Sequence, residues 1–239
     1  MEKEQSTPTP RRKFLGTLAA SAAALGLSSF ASPLVAHAGE SPQPENMQTD
    51  MMDADAWFKQ MKGKHRIVYD VTGPKEGHEL VMPFAWSKVF LMTNTAPGGA
   101  EKDNNVVVVL RHNAIPFAMN SAMWAKYKFG ENFKIMDPND GKPSIRNMMW
   151  QPHPAFSVPG LGPVPIGIDE LQGNGVMFCV CDVALTVNSA VLGEAMKMKG
   201  EDVKKEWLAN LLPGVQVVPS GVWAVGRAQE HKCGYCFAG

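Results

Sequence analysis

The chain is expected to fold as a three-layer α/β sandwich, a single domain built on a mainly parallel, five-stranded sheet. Three observations predict it. Short β-branched runs alternate with helical stretches along most of the 239 residues. Two runs, "VVVVL" and "VMFCVC", are apolar at every position, as strands covered on both faces must be. The length supports a full core, and four cysteines are too few for a disulfide framework.

The elements follow in order. Residues 39–54 are polar and Pro-rich, the composition of a linker. "DADAWFKQMKG" reads as a short helix opened by Asp53 or Asp55, with Trp57, Phe58 and Met61 on one side. "HRIVYDVT" (65–72) is a strand. Residues 77–95 are mostly apolar and helical, with a start near Pro83 because proline suits a first turn. "NNVVVVLRH" (104–112) is a central strand. Residues 115–130 read as one helix, with Pro116 in its first turn and Gly130 past its end.

Residues 131–167 are irregular and hold seven prolines, a loop long enough to suggest function or an interface. "IDELQGNG" is a short helix and "VMFCVC" (176–181) a strand. The helix "DVALTVNSAVLGEAMKMKG" follows. "GEDVKKEWLANLLPG" is a further helix capped by Glu201 or Asp202. "VQVVP" (215–219) is a strand, "SGVWAVGRAQEHK" a helix opened by Ser220, and "CGYCFAG" the last strand.

The N-terminus reads as an address. Arg11 and Arg12 stand side by side before Lys13, Phe14 and Leu15. A weakly apolar, Ala-rich run then ends in Ala36-His37-Ala38. This resembles a twin-arginine (Tat) signal peptide cut after Ala38, although Pro10 stands where Ser or Thr is usual. The resemblance implies a folded chain exported to the periplasm, meeting the membrane only at the Tat translocon. The domain then begins near residue 64, after a linker and short helix at 39–63. Removing residues 1–38 takes away four basic and two acidic residues, leaving 19 basic and 21 acidic, net −2. No basic stripe marks a nucleic-acid surface. The 15 methionines are scattered, as core fillers are, rather than clustered as copper ligands.

The cysteines carry the chemistry worth weighing. Alternation puts Cys179 and Cys181 on one face of their strand. Cys181 is the last strand residue before a helix. Ligands of parallel sheets bind beyond the carboxyl ends of strands, and helix-start amides favour an anionic sulfur. Position therefore marks Cys181 as a nucleophile or sulfur acceptor, with the neighbouring Asp182 opposing a thiolate. Cys179, deeper in the strand, reads as packing. Cys233 and Cys236 have redox-dithiol spacing but follow a helix instead of opening one, so a disulfide, a core pair and a resolving pair for Cys181 all stay open. Phe237 stands where haem attachment needs a histidine.

Arg111, His112 and Asn113 follow the second strand, where Arg111 is placed to hold an anion or to cap and salt-bridge the edge. His153, near Trp150, lies in the Pro-rich loop without spaced partners for a metal. His65 and His78 read as surface residues. His231 precedes "KCGYC". No metal or resident cofactor is expected.

The order strand–cysteine–helix, followed by "LLPGVQVVPSGVWAVGRAQEHKCGY", resembles the DsrE/DsrF-like sulfur-relay family, especially its exported members. The residues carrying the likeness are Cys181, Pro213–Val215, Val217–Val222, Gln229, Gly234 and Tyr235, with "VVVVLRHNAIPFAM" upstream. The resemblance covers about residues 64–239. It implies a DsrE-like parallel sheet, an oligomer of identical chains, and a cysteine that carries covalent sulfur as a persulfide. A sulfur or thiol donor and acceptor would be its partners. The loop at 131–167 and the three extra cysteines depart from that pattern. Two other functions remain open: a non-catalytic assembly module, and a thiol–disulfide protein using Cys233 and Cys236.

Overall fold

Four valines and a leucine in a row can be buried on both sides only inside a sheet with helices above and below. That run is β2 (Asn104–Leu110) in the computed structural model, which describes residues 54–73, 81–96, 98–152, 156–158, 160 and 162–238. β1 (His65–Val71) and helix α1 (Met82–Thr95) precede it. After β2 a 3-10 stretch, His112–Ala118, leads into short helices α2 (Ser121–Lys126) and α3 (Phe129–Asn132). A small antiparallel hairpin, β3 (Ser157–Val158) with β4 (Gly162–Pro163), comes before α4 (Ile168–Gly173). Then follow β5 (Val176–Cys181), α5 (Asp182–Met196), α6 (Gly200–Ala209), β6 (Gln216–Val218), α7 (Gly221–Glu230) and β7 (Gly234–Phe237). Arg11, Arg12, Ala38, most of the linker, His78 and His153 lie outside the described residues.

The five expected strands form one sheet in the order β6-β5-β2-β1-β7, with every pairing parallel. The larger core lies on one face, where Phe84, Trp124 and Trp207 pack against Val106, Val108 and Phe178. The other face is thinner. There Phe58, Ala224 and Ala228 cover Val68, Val107, Val109 and Cys179. The architecture is thus a three-layer α/β sandwich.

Strand order explains the two layers. From β1 through β2 and β5 to β6 the chain steps in one direction across the sheet, with its helices on one face. From β6 it returns past three strands to β7. A right-handed crossover in the reverse direction must run over the opposite face, and α7 does. The helical residues 54–58 share that face. Trp57 and Phe58 sit in its core, with Phe58 6.0 Å from the Trp223 ring. This helix, upstream of residue 64, therefore contributes to the core of that face.

Three local expectations change. The single helix over 115–130 is broken into three pieces. Met119 bridges Leu211, Asn120 accepts from the Met123 N–H as a new N-cap, and Lys128 takes a left-handed turn (φ 47°). Gly130 lies inside α3 instead of ending a helix. A Cβ there would stand 2.2 Å from the Ser144 backbone nitrogen. Glycine is needed because the Pro-rich segment crosses the helix at that point. Gly130→Ala should cost about 2 kcal/mol, measured by denaturant unfolding, because neither backbone can yield freely; an unchanged midpoint would contradict the close approach.

The α6 cap also differs. The helix opens at Lys199 without a side-chain cap, leaving Glu201 and Asp202 in the first turn, where they complement the dipole. The segment 131–167 is more ordered than its prolines suggest. It carries the β3–β4 hairpin, a Met136–Pro143 bridge and the buried Asn147, whose amide donates to the Phe117 and Met119 carbonyls. Among the described residues no helix is long and apolar enough to cross a membrane.

Candidate functional site

β5 ends at Cys181 and β6 at Val218, side by side in register. The helix after β5 leaves over one face of the sheet and the helix after β6 over the other. Chains that diverge in this way open a crevice at the carboxyl edge, the usual binding place in open α/β sheets. A cavity of about 320 Å³ lies there, lined by Arg111, Cys181, Val183, Val187, Ser220 and Val222 among others.

Cys181 stands at its base with 6% of its surface exposed. It is the N-cap of α5, and its Sγ accepts a hydrogen bond from the Ala184 N–H at 3.3 Å. The helix start thus directs positive charge at the sulfur. The expected opposition from Asp182 is met by Lys204 of α6, whose Nζ is 2.7 Å from the carboxylate. Register with Val218 keeps Cys181 on the Cys179 side of the strand, as alternation requires, but the turn into α5 packs it with Ala184 against the larger core.

Arg111 follows β2 and reaches the same cavity. Its guanidinium makes a bidentate pair with Asp70 of β1, at 2.6 and 2.8 Å. Asp70 is buried, and it also accepts from the Tyr235 hydroxyl at 3.0 Å. The Asp70 bond holds the Arg111 pKa above its usual range, against the opposing effect of burial, and the charge of Asp70 adds to it. The Arg111 stem lies so close to the start of α7 that a Cβ on Gly221 would be 2.5 Å from its own Cβ. Ser220 caps α7 as expected, accepting from the Trp223 N–H. His112 is exposed and strained, with φ 53° at the lip of the cavity. Its Nδ1 is 3.0 Å from Asn113 Oδ1.

The other thiols lie elsewhere. Cys179 is fully buried beneath α7, and burial pushes its thiol far above the usual range. Cys233 is buried on the same face, 3.7 Å from the Met61 sulfur, and burial raises its thiol to about 11. Cys236 is half-buried and packs toward the opposite core. All four thiols are free. The CGYC motif thus turns Cys233 and Cys236 toward different cores, unbonded to each other. It supplies no resolving pair for Cys181, because β7 is three strand spacings from β5, roughly 14 Å at about 4.8 Å each. His231 stacks on Phe58, and His65 is exposed. Among the described residues no group of three or more His, Cys, Asp or Glu could hold a metal.

No family model matches the chain, and no curated protein matches it. A solved protein of unknown function from Methanobacterium thermoautotrophicum is similar at 17% identity and a TM-score of 0.39, over 72% of this chain and 98% of that one.

Asp70 and the cavity valines were not marked as site residues by the sequence. Asp70 carried a signal, since one acid inside an apolar strand needs a buried partner. The valines of α5 and α7 carried none, because only strand order brings the two helix starts together. Burial orders the thiols in an alkylation experiment. Cys236 should react first and Cys181 more slowly; Cys179 and Cys233 should react only on unfolding. Peptide mapping of a time course checks this, and rapid labelling of Cys179 would contradict its burial.

Proposed function

We propose that the chain handles sulfur or thiols through Cys181, forming a persulfide at the carboxyl edge of the sheet as its DsrE/DsrF-like resemblance implies. One observation carries the reading: a lone cysteine caps a helix at the base of a cavity of about 320 Å³, where the strand connections diverge. Export by the Tat route to the periplasm belongs to the same proposal and rests on Arg11, Arg12 and the Ala36-His37-Ala38 site. The test is to incubate the reduced protein with polysulfide and record its intact mass. The expected result is a gain of one or more sulfurs mapping to the Cys181 peptide. No gain there, from polysulfide or from any other sulfane-sulfur donor, would end the proposal.

A second reading is an assembly module of identical chains. It is favoured by Trp86, Val89 and Met92, which are exposed along α1. Replacing Trp86 and Val89 by serine should then lower the mass measured by light scattering toward that of a single chain. An unchanged mass would remove α1 as the contact.

A further inference from the structure

The cavity over Cys181 is built of two unlike parts. Its floor favours an anion with several oxygens. Arg111 has five N–H donors, of which Asp70 takes two. First-turn residues of α5 and α7, Val183 and Ala184 with Gly221 and Val222, line the same space, at the starts of helices of 15 and 10 residues. Its rim is apolar. Val183, Val187 and Val222 line the cavity while remaining 54%, 56% and 71% exposed. These are large apolar exposures for side chains with a fixed place at a cavity mouth, and they give a ligand's apolar body somewhere to lie. The reacting sulfur is held as an acceptor only. Cys181 is all but 6% buried and accepts from Ala184, yet its own S–H meets no acceptor among the described residues.

We propose that this site takes a small organic thiosulfonate: an apolar substituent on the valine rim, sulfonyl oxygens on Arg111 and the two helix starts, and the terminal sulfur on Cys181. The inference rests on the reading of Cys181 as a sulfur acceptor and names its donor. The volume is at the lower end of small-molecule pockets and suits a ligand with one ring or a short chain.

The step balances without an outside oxidant or reductant. The Cys181 sulfur gives up its proton to solvent and attacks the terminal sulfur of R–SO₂–S⁻. A new S–S bond forms on Cys181, and the bond between terminal and sulfonyl sulfur breaks. The breaking bond's electron pair stays on the sulfonyl sulfur, so R–SO₂⁻ leaves as a sulfinate. The products are that sulfinate, the Cys181 persulfide anion and one proton. The same oxygens touch Arg111 before and after the step, so the floor holds both donor and leaving group.

The test compares three donors on the full-length protein: benzenethiosulfonate, methanethiosulfonate and polysulfide. The readout is the rate of sulfur addition at Cys181 by mass spectrometry. Each rate is divided by that of the same donor with a free thiol, which removes intrinsic reactivity. The expected result is at least a tenfold preference for benzenethiosulfonate over methanethiosulfonate. Val187→Asp should shrink that ratio at least fivefold, and benzenesulfinate should slow Cys181 alkylation. If polysulfide loads Cys181 but the two thiosulfonates do not differ, or the ratio ignores Val187→Asp, or benzenesulfinate gives no protection, the donor class is wrong and the sulfur-acceptor reading stands. If none of the three loads Cys181, both fall.

Discussion

Cys181→Ser should abolish sulfur loading while leaving the fold intact. The loss follows because Cys181 is the only thiol lining the cavity among the described residues, and a hydroxyl forms no persulfide. Retention of the fold follows from its position. The side chain caps α5 by accepting from Ala184, and serine is among the residues that do this best. The variant should therefore unfold at the same denaturant concentration as the parent, or slightly higher. This separates a chemical role from a packing role. A Cys181→Ser protein that still gains sulfur under polysulfide would locate the acceptor elsewhere, with half-buried Cys236 the next to examine.

Asp70→Ala should be the most destabilising single change near the site, by about 3 kcal/mol. The Asp70 side chain is only 4% exposed and is held by the Arg111 fork and the Tyr235 hydroxyl. Removing one member of a buried ion pair leaves the other charge without compensation, which ordinarily costs about 3–5 kcal/mol. The lower end applies because the Arg111 side chain keeps 26% of its surface and can recover some water. Asp70→Asn keeps only one of the two acceptor oxygens, turns an amide N–H toward a donor and removes the charge, so it should cost a similar amount. Denaturant unfolding of the two variants decides it. A loss below about 1 kcal/mol for Asp70→Ala would mean the triad is solvated and not structural. The same substitution should slow loading of Cys181, since Arg111 would lose the bond that orients it.

The two changes act on opposite sides of one design. Asp70, Arg111 and Tyr235 tie β1, β2 and β7 together at the carboxyl edge, and the cost of burying the carboxylate is offset within the triad. Cys181 sits beyond the triad on β5, where the cavity begins. Stability at this edge and reactivity in the crevice thus depend on different residues joined through Arg111.

Much of this was legible from residue order. Runs such as "VVVVL" and "VMFCVC" announce buried parallel strands because no other element hides both faces. The cap at Ser220 and the proline at the start of α1 follow from local chemistry, and both stand where expected. Cys181 as a strand-end thiol before a helix is likewise a local fact. The break of 115–130 was not legible. It depends on a bridge from Met119 to Leu211, far along the chain, which outweighs the helical preference of the intervening residues. The meaning of Gly130 was hidden for the same reason, because its cause is the backbone of Ser144.

The sequence by itself determined the layers, the five strands and the thiol at the end of β5, since periodicity, caps and burial act over a few residues. Only the tertiary structure decided what surrounds that thiol. The order β6-β5-β2-β1-β7 sends α5 and α7 to opposite faces and opens a crevice between their starts, with Arg111 on its floor and valines on its rim. The same order puts Cys233 and Cys236 at the far edge of the sheet, out of reach of Cys181. Strand order is set by which long-range pairings bury the most surface with right-handed connections, and no short stretch of sequence records that.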